Sequence, residues 1–153
     1  MEKKEVIDLV NALSESLSVI YLTSIDENSY PQTRAMFNLR NPKTNEGYPT
    51  SFEGDEALTF YFTTNTSSQK IPQIKNSKKA SVYLCKPDCF DGILLKGDIE
   101  IIEDTKIKQA LWRDGWKMYY PQGNPNDPDY SILRFVPHKI QGWSRGQKFE
   151  VDL

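Results

Sequence analysis

Apolar residues fall at helical spacing near the start of the chain and again after residue 104. Elsewhere they come as short runs divided by polar residues, Gly or Pro, which is how strands read. Val6, Leu9, Val10, Leu13 and Leu17 recur on one face while Lys3, Lys4, Asp8 and Glu15 are left for water. This predicts an amphipathic helix over 2–17 that covers one face or end of a sheet. Residues 18–25 are rich in β-branched side chains, and Asp26-Glu27-Asn28-Ser29 carries turn chemistry. Residues 32–39 therefore return as a hairpin partner, with Pro31 at the strand start, where its missing N–H does least harm. Residues 40–56 hold Pro, Gly, Asn and acids without periodicity and read as a long loop able to close over a ligand.

The chain is organised around residues 58–84. A dense aromatic and β-favouring run (58–62) leads into a polar corner (63–68), then Lys70, a helical patch around Ile71 and Ile74, and a second strand through Val82 and Leu84. A strand that delivers hydroxyls, backbone amides and a lysine to the start of a helix can cradle a phosphate, because those amides have no helical partner. The same residues also suit an ordinary strand–turn–helix whose Ser and Thr cap the helix. Pro72 leaves two starts open, one with Ser68 as the cap and one nearer Pro72 itself.

Beyond 86–91, which turns the chain, 92–103 reads as a long strand bent at Gly97. Asp104 or Thr105 caps a helix carrying Ile107, Ala110 and Leu111, and 114–121 is a further helical turn ended by Pro121. After a loop over 122–129, two closing strands are expected at 130–136 and 139–143, with Pro137-His138 as the turn between them. The polar tail 144–153 is expected to be poorly fixed. Six or seven strands in largely antiparallel order with few helices predict a mainly β protein, one domain spanning 1–153, built as a closed or nearly closed barrel.

Composition narrows the partners. A net charge of −2 over 153 residues gives no general affinity for nucleic acid or an anionic membrane. With no apolar run of membrane length and no signal-peptide pattern, a soluble cytoplasmic protein is expected. Cys85, Cys89 and a single His138 supply neither a disulfide framework nor a His-rich metal site, so no metal is expected. Many of the aromatic residues lie outside the expected strands, which points to a stacking site, an oligomer interface or both.

Three stretches, TRAMFNL (33–39), FTTNTSSQK (62–70) and LRFVPHKIQGW (133–143), come in the order found in the pyridoxamine 5'-phosphate oxidase-like flavoproteins, the FMN-binding split barrels. The chain resembles that family over nearly its whole length, and DGWKMYYP with an NDPDY loop resembles the bacterial general stress protein branch. The resemblance implies an antiparallel six- to seven-stranded Greek-key split barrel. It also implies a homodimer with FMN at the interface and Arg34 and Lys70 on the FMN phosphate. Thr64 and Ser68 would add hydroxyl bonds, and backbone groups of Ala35, Met36, Phe37, Thr63 and Thr64 would follow the ring system. Trp143 resembles the aromatic that approaches the flavin, and Trp116 and Tyr119 are candidates for the substrate wall. Each also has an ordinary reading: Arg34 and Lys70 as solvated surface residues, the aromatics as core or interface packing.

Two departures stand out. The family's basic pair at the corner is here Gln69-Lys70, which removes one phosphate charge. The family's Arg-Leu-His substrate motif is absent from SRGQKFEVDL, so oxidation of pyridoxamine phosphate is not expected. The implied function is an FMN-dependent oxidoreductase of unspecified small-molecule substrate, with Tyr119 and Tyr120 the nearest proton donors and no catalytic residue fixed by the sequence. The alternatives are a flavin-binding stress protein or redox sensor without turnover, and, least favoured, a barrel for haem or another ligand with His138 as the available imidazole.

Overall fold

The computed structural model describes all 153 residues, Met1–Leu153. The main elements are α1 (Lys3–Ser16), β1 (Val19–Ile25), β2 (Pro31–Phe37), β3 (Phe60–Asn65), α2 (Lys70–Asn76), β4 (Lys79–Lys86), β5 (Asp91–Ile102), α3 (Thr105–Leu111), β6 (Tyr130–Ser144) and β7 (Gln147–Asp152). All strand pairs are antiparallel, and the sheet runs β2-β1-β4-β5-β6-β3, with β7 also on β6. No helix is long and apolar enough to cross a membrane.

Local chemistry explains the elements. The carboxyl groups of Glu2 and Glu5 close a capping box at the start of α1, whose Val6, Val10 and Leu13 are buried. The Asp104 side chain accepts the Lys106 and Ile107 amides at the start of α3. On β3, Phe60 and Phe62 enter the barrel core with Ile20, Leu22, Val82, Leu84, Ile93 and Leu95, while Tyr61 enters a second cluster with Leu111, Tyr120, Tyr130 and Ile132. A strand buried on both faces shows an apolar run rather than alternation, which is why 58–62 is so dense in aromatics. The two strands of the organising stretch part company: β3 pairs with β6, and β4 lies between β1 and β5.

Two expectations fail at the C-terminal end. Pro137-His138 is not a turn, because β6 is one continuous fifteen-residue strand. Gly97 pairs with Pro137 and Lys96 with Lys139, so His138 is an extra residue, bulged out where β5 bends. A Cβ on residue 97 would meet the Val136 carbonyl and come within 2.6 Å of Pro137 Cα, so only Gly fits the bend. Proline's missing N–H is tolerated at such a bulge. The tail is not loose either. Arg145 and Gly146, both at positive φ, form a two-residue turn, and β7 returns along β6 with Phe149 buried.

Loop 40–56 forms no strand but is tied down along its length. Arg40 donates to Thr59 O (2.8 Å) and Asn11 Oδ1 (2.8 Å). Asn41 and Asn45 are buried. Asp55 accepts from Tyr61 Oη (2.8 Å) and pairs with Arg134 (3.3 Å).

Candidate functional site

The two ends of the strand order, β2 and β3, touch but share no ladder. The barrel is therefore split along a seam in which each strand offers a row of backbone donors and acceptors to the other without pairing. A cleft of about 170 Å³ runs along this seam. Ala35, Met36 and Phe37 of β2 form one side, and Thr63, Thr64 and Asn65 of β3 form the other. Lys70 at the start of α2 and the aromatics Trp116, Tyr119 and Tyr120 complete the wall. Larger hollows lie on the outer surface, but the seam combines open strand edges with an unneutralised pair of cations.

Those cations are Arg34 and Lys70. Arg34 is half-buried, with Nη1 donating to Ser24 Oγ (2.7 Å) and the Gln32 carbonyl (2.6 Å), and Nη2 to Gln73 Oε1 (3.1 Å). No carboxylate pairs with either cation. Burial lowers the pKa of the guanidinium. Burial lowers that of the Lys70 ammonium as well, and the charge of Arg34 lowers it further. Two cations close enough to repel, with nothing negative between them, suit an anion of more than one charge.

The polar corner is arranged differently from a backbone phosphate loop. Thr66 N donates to Asp129 O (2.7 Å), Ser67 N to Asp129 Oδ1 (2.8 Å), Ser68 N to Asn65 O (3.0 Å) and Lys70 N to Ser68 Oγ (3.2 Å). These amides are committed within the chain, which leaves the cations and hydroxyls to meet a ligand. Asp129 also accepts from Asn65 Nδ2 (2.8 Å), and its pKa is lowered by the bonds from Asn65 and Ser67. Helix α2 begins at Lys70, so Pro72 is its third residue, in the first turn, where no N–H is needed.

On the aromatic wall, Tyr120 is buried, and that burial pushes its pKa up to about 12. Trp112 packs against Trp116, Tyr120 and Tyr130 behind the wall. Arg113 stacks on Tyr48 (4.2 Å), faces Trp116 (6.0 Å), and donates to Thr44 O (2.6 Å) and to Asn45 Oδ1. Loop 40–56 is thereby latched to the back of the cleft.

Ten of the expected residues gather here: Ala35, Met36, Phe37, Thr63, Thr64, Lys70, Trp116, Tyr119 and Tyr120 line the cleft, and Arg34 stands beside Lys70. Ser68 is held at the corner through Lys70 N. Trp143 lies elsewhere on the same chain, exposed near Tyr83 and Phe90 on the outer face of the sheet. His138 points out from the bulge and bonds Asp98 (3.1 Å), away from the cleft. Sequence reasoning missed Asn65, Ser24, Gln73 and Asp129. Of these only Asn65 carried a signal, as the next residue along a strand already assigned to the site.

The outer face of the sheet carries exposed aromatic and aliphatic side chains in adjoining rows. Val19 faces Phe37, Tyr21 faces Tyr83, and Trp143 stands across Gly92 from β4. Phe37 belongs both to this face and to the cleft.

The sequence model of the family described as pyridoxamine 5'-phosphate oxidase matches residues 7–144. No curated protein matches the sequence. Among solved structures, a Clostridium acetobutylicum protein related to general stress protein 26 of Bacillus subtilis is 28% identical, with a TM-score of 0.77 over 99% of this chain and 97% of its own. General stress protein 26 of Bacillus anthracis is 21% identical (TM-score 0.72, 97% and 99% covered). A pyridoxamine 5'-phosphate oxidase-related, FMN-binding protein of Nostoc punctiforme is 13% identical (TM-score 0.68, 100% and 97% covered).

Proposed function

Because the chain belongs to the pyridoxamine 5'-phosphate oxidase family, we propose that its β2–β3 seam binds FMN and that the protein is an FMN-dependent oxidoreductase acting on a small molecule. The observation that carries this reading is the Arg34–Lys70 pair, two half-buried cations without a carboxylate at the end of a cleft edged by unpaired strands. A phosphate dianion matches a guanidinium fork beside an ammonium point charge. Thr64 and Ser68 add hydroxyl donors. The edges of Ala35, Met36, Phe37 and Thr63 offer the mixed donors and acceptors that a flavin's pyrimidine edge requires. Bound FMN supplies the hydride and electron transfer that side chains cannot. The chain's own residues orient it, and Trp116 and Tyr119 exclude water from the reacting face.

At about 170 Å³ the cleft is smaller than a usual ligand pocket of about 300–1,000 Å³. A second copy docked on the outer face would enlarge it and carry Trp143 toward the partner's seam, so a cytoplasmic homodimer belongs to the proposal.

The test is an absorbance spectrum of freshly purified protein followed by titration with FMN. A flavin band or saturable binding is expected, weakened about tenfold or more by Arg34→Ala or Lys70→Ala. A colourless protein that ignores added FMN overturns the reading.

A further inference from the structure

Beside the apolar core of the barrel, two buried polar side chains are joined to each other. Ser24 on β1 is fully buried and Gln73 on α2 nearly so, among Leu22, Val82, Ile71 and Ile74. Burying such groups is unfavourable unless every bond is made, so their presence needs a reason. The two bond each other, with Ser24 Oγ donating to Gln73 Oε1 at 2.6 Å, and both accept from Arg34. Arg34 can only donate, which fixes Oε1 as the atom of Gln73 that faces it.

Three of the five Arg34 N–H groups are thereby committed to three elements: Ser24 on β1, Gln32 O on β2 and Gln73 on α2. The remaining donors, on Nε and Nη2, are free for an anion. All three acceptors are neutral. A carboxylate in the same place would hold the guanidinium equally well and cancel its charge.

We infer that Ser24 and Gln73 are positioning residues, a neutral brace that aims Arg34 at the ligand's phosphate while leaving its full charge available. The inference rests on the phosphate reading of the seam and adds the means by which the site discriminates phosphorylated from unphosphorylated flavin. Gln73 reaches Arg34 from α2, the same helix that presents Lys70. The spacing of the two cations is therefore set by α2 packing against β1.

The experiment compares FMN and riboflavin binding to the full chain by fluorescence titration, in the wild type and in Arg34→Ala, Gln73→Met, Gln73→Glu and Ser24→Ala. Met keeps the volume of Gln and removes the acceptor, and Glu keeps the acceptor and adds a charge. The brace predicts that Gln73→Met and Gln73→Glu each lower FMN affinity about tenfold and leave riboflavin affinity where it was, with a smaller loss in Ser24→Ala. It also predicts that Gln73→Glu raises the thermal midpoint of the ligand-free protein, because it pairs the guanidinium. If both Gln73 variants keep the wild-type ratio of FMN to riboflavin affinity, whether or not the two ligands weaken together, while Arg34→Ala loses it, the brace is wrong and the phosphate site stands. If Arg34→Ala also keeps the ratio, the phosphate site falls, and the brace with it. Should Gln73→Met fail to fold, Ser24→Ala and Gln73→Glu decide between the same outcomes.

Discussion

At the scale of single residues, the site holds charge in a place that resists it. Lys70 is half-buried beside Arg34, and its lowered pKa records an ammonium that the folded protein disfavours. A lysine whose folded pKa lies below its unfolded value weakens folding at neutral pH, and that penalty fades as pH rises through the folded value toward the unfolded one. Lys70→Met should therefore unfold at a higher temperature than the wild type at pH 7 while binding FMN about tenfold or more weakly. The gap in thermal midpoint should narrow in alkaline buffer. A variant less stable than the wild type at pH 7 would show that the aliphatic stem of Lys70, not its charge, is what the fold uses. Of the two cations, Lys70 was legible as a candidate in the strand–turn–helix pattern, and Arg34 through the family resemblance alone. Ser24, Gln73 and Asp129 were not, since a polar side chain at an inward position has no meaning until its partners are known. Their partners lie 49, 39 and 64 residues away along the chain.

Elements show the same division. The N-terminal helix, the first hairpin and the Asp104 cap were legible because each rests on neighbours in sequence, and the bend in β5 because a lone Gly97 interrupts a strand pattern. The join between 136 and 139 was misread because Pro and His side by side resemble a turn, and only the opposing Gly97 reveals a bulge. The tail was misread because the Arg145-Gly146 turn lacks the usual Asn-Gly signal, although Phe149 and Val151 alternate as a half-buried strand should. Loop 40–56 read as a segment able to close over a ligand, and in the structure Arg40, Asn45 and Asp55 tie it to its neighbours while Arg113 clamps it to Trp116. Arg113→Ala should release the segment around Thr44 and Tyr48, with limited proteolysis there quickened about tenfold and hydrogen exchange in β4 and β5 unchanged. Cleavage as slow as in the wild type would mean that the Asn45 and Asp55 contacts suffice without the clamp.

For the whole molecule, the exposed rows on the outer face matter most. Tyr21, Phe37, Tyr83 and Trp143 form an apolar surface of the kind that marks a partner, and Phe37 ties it to the cleft. Tyr83→Asp puts an unpaired charge at the centre of that surface. Sedimentation should show a dimer in the wild type and a monomer in this variant, and FMN affinity should fall along with assembly. A variant that remains dimeric places the interface elsewhere. The barrel class was legible from strand count and order, but the seam was not, since no local pattern says which two strands will meet without pairing. That seam also bears on how such a protein can change over generations. Folding is secured by the six strands that pair in unbroken succession, and the proposed ligand contacts lie on the free edges of the first and last of them, which touch without pairing. Substitutions along those edges can exchange one guest molecule for another while the scaffold remains indifferent, so the gap makes the barrel evolvable.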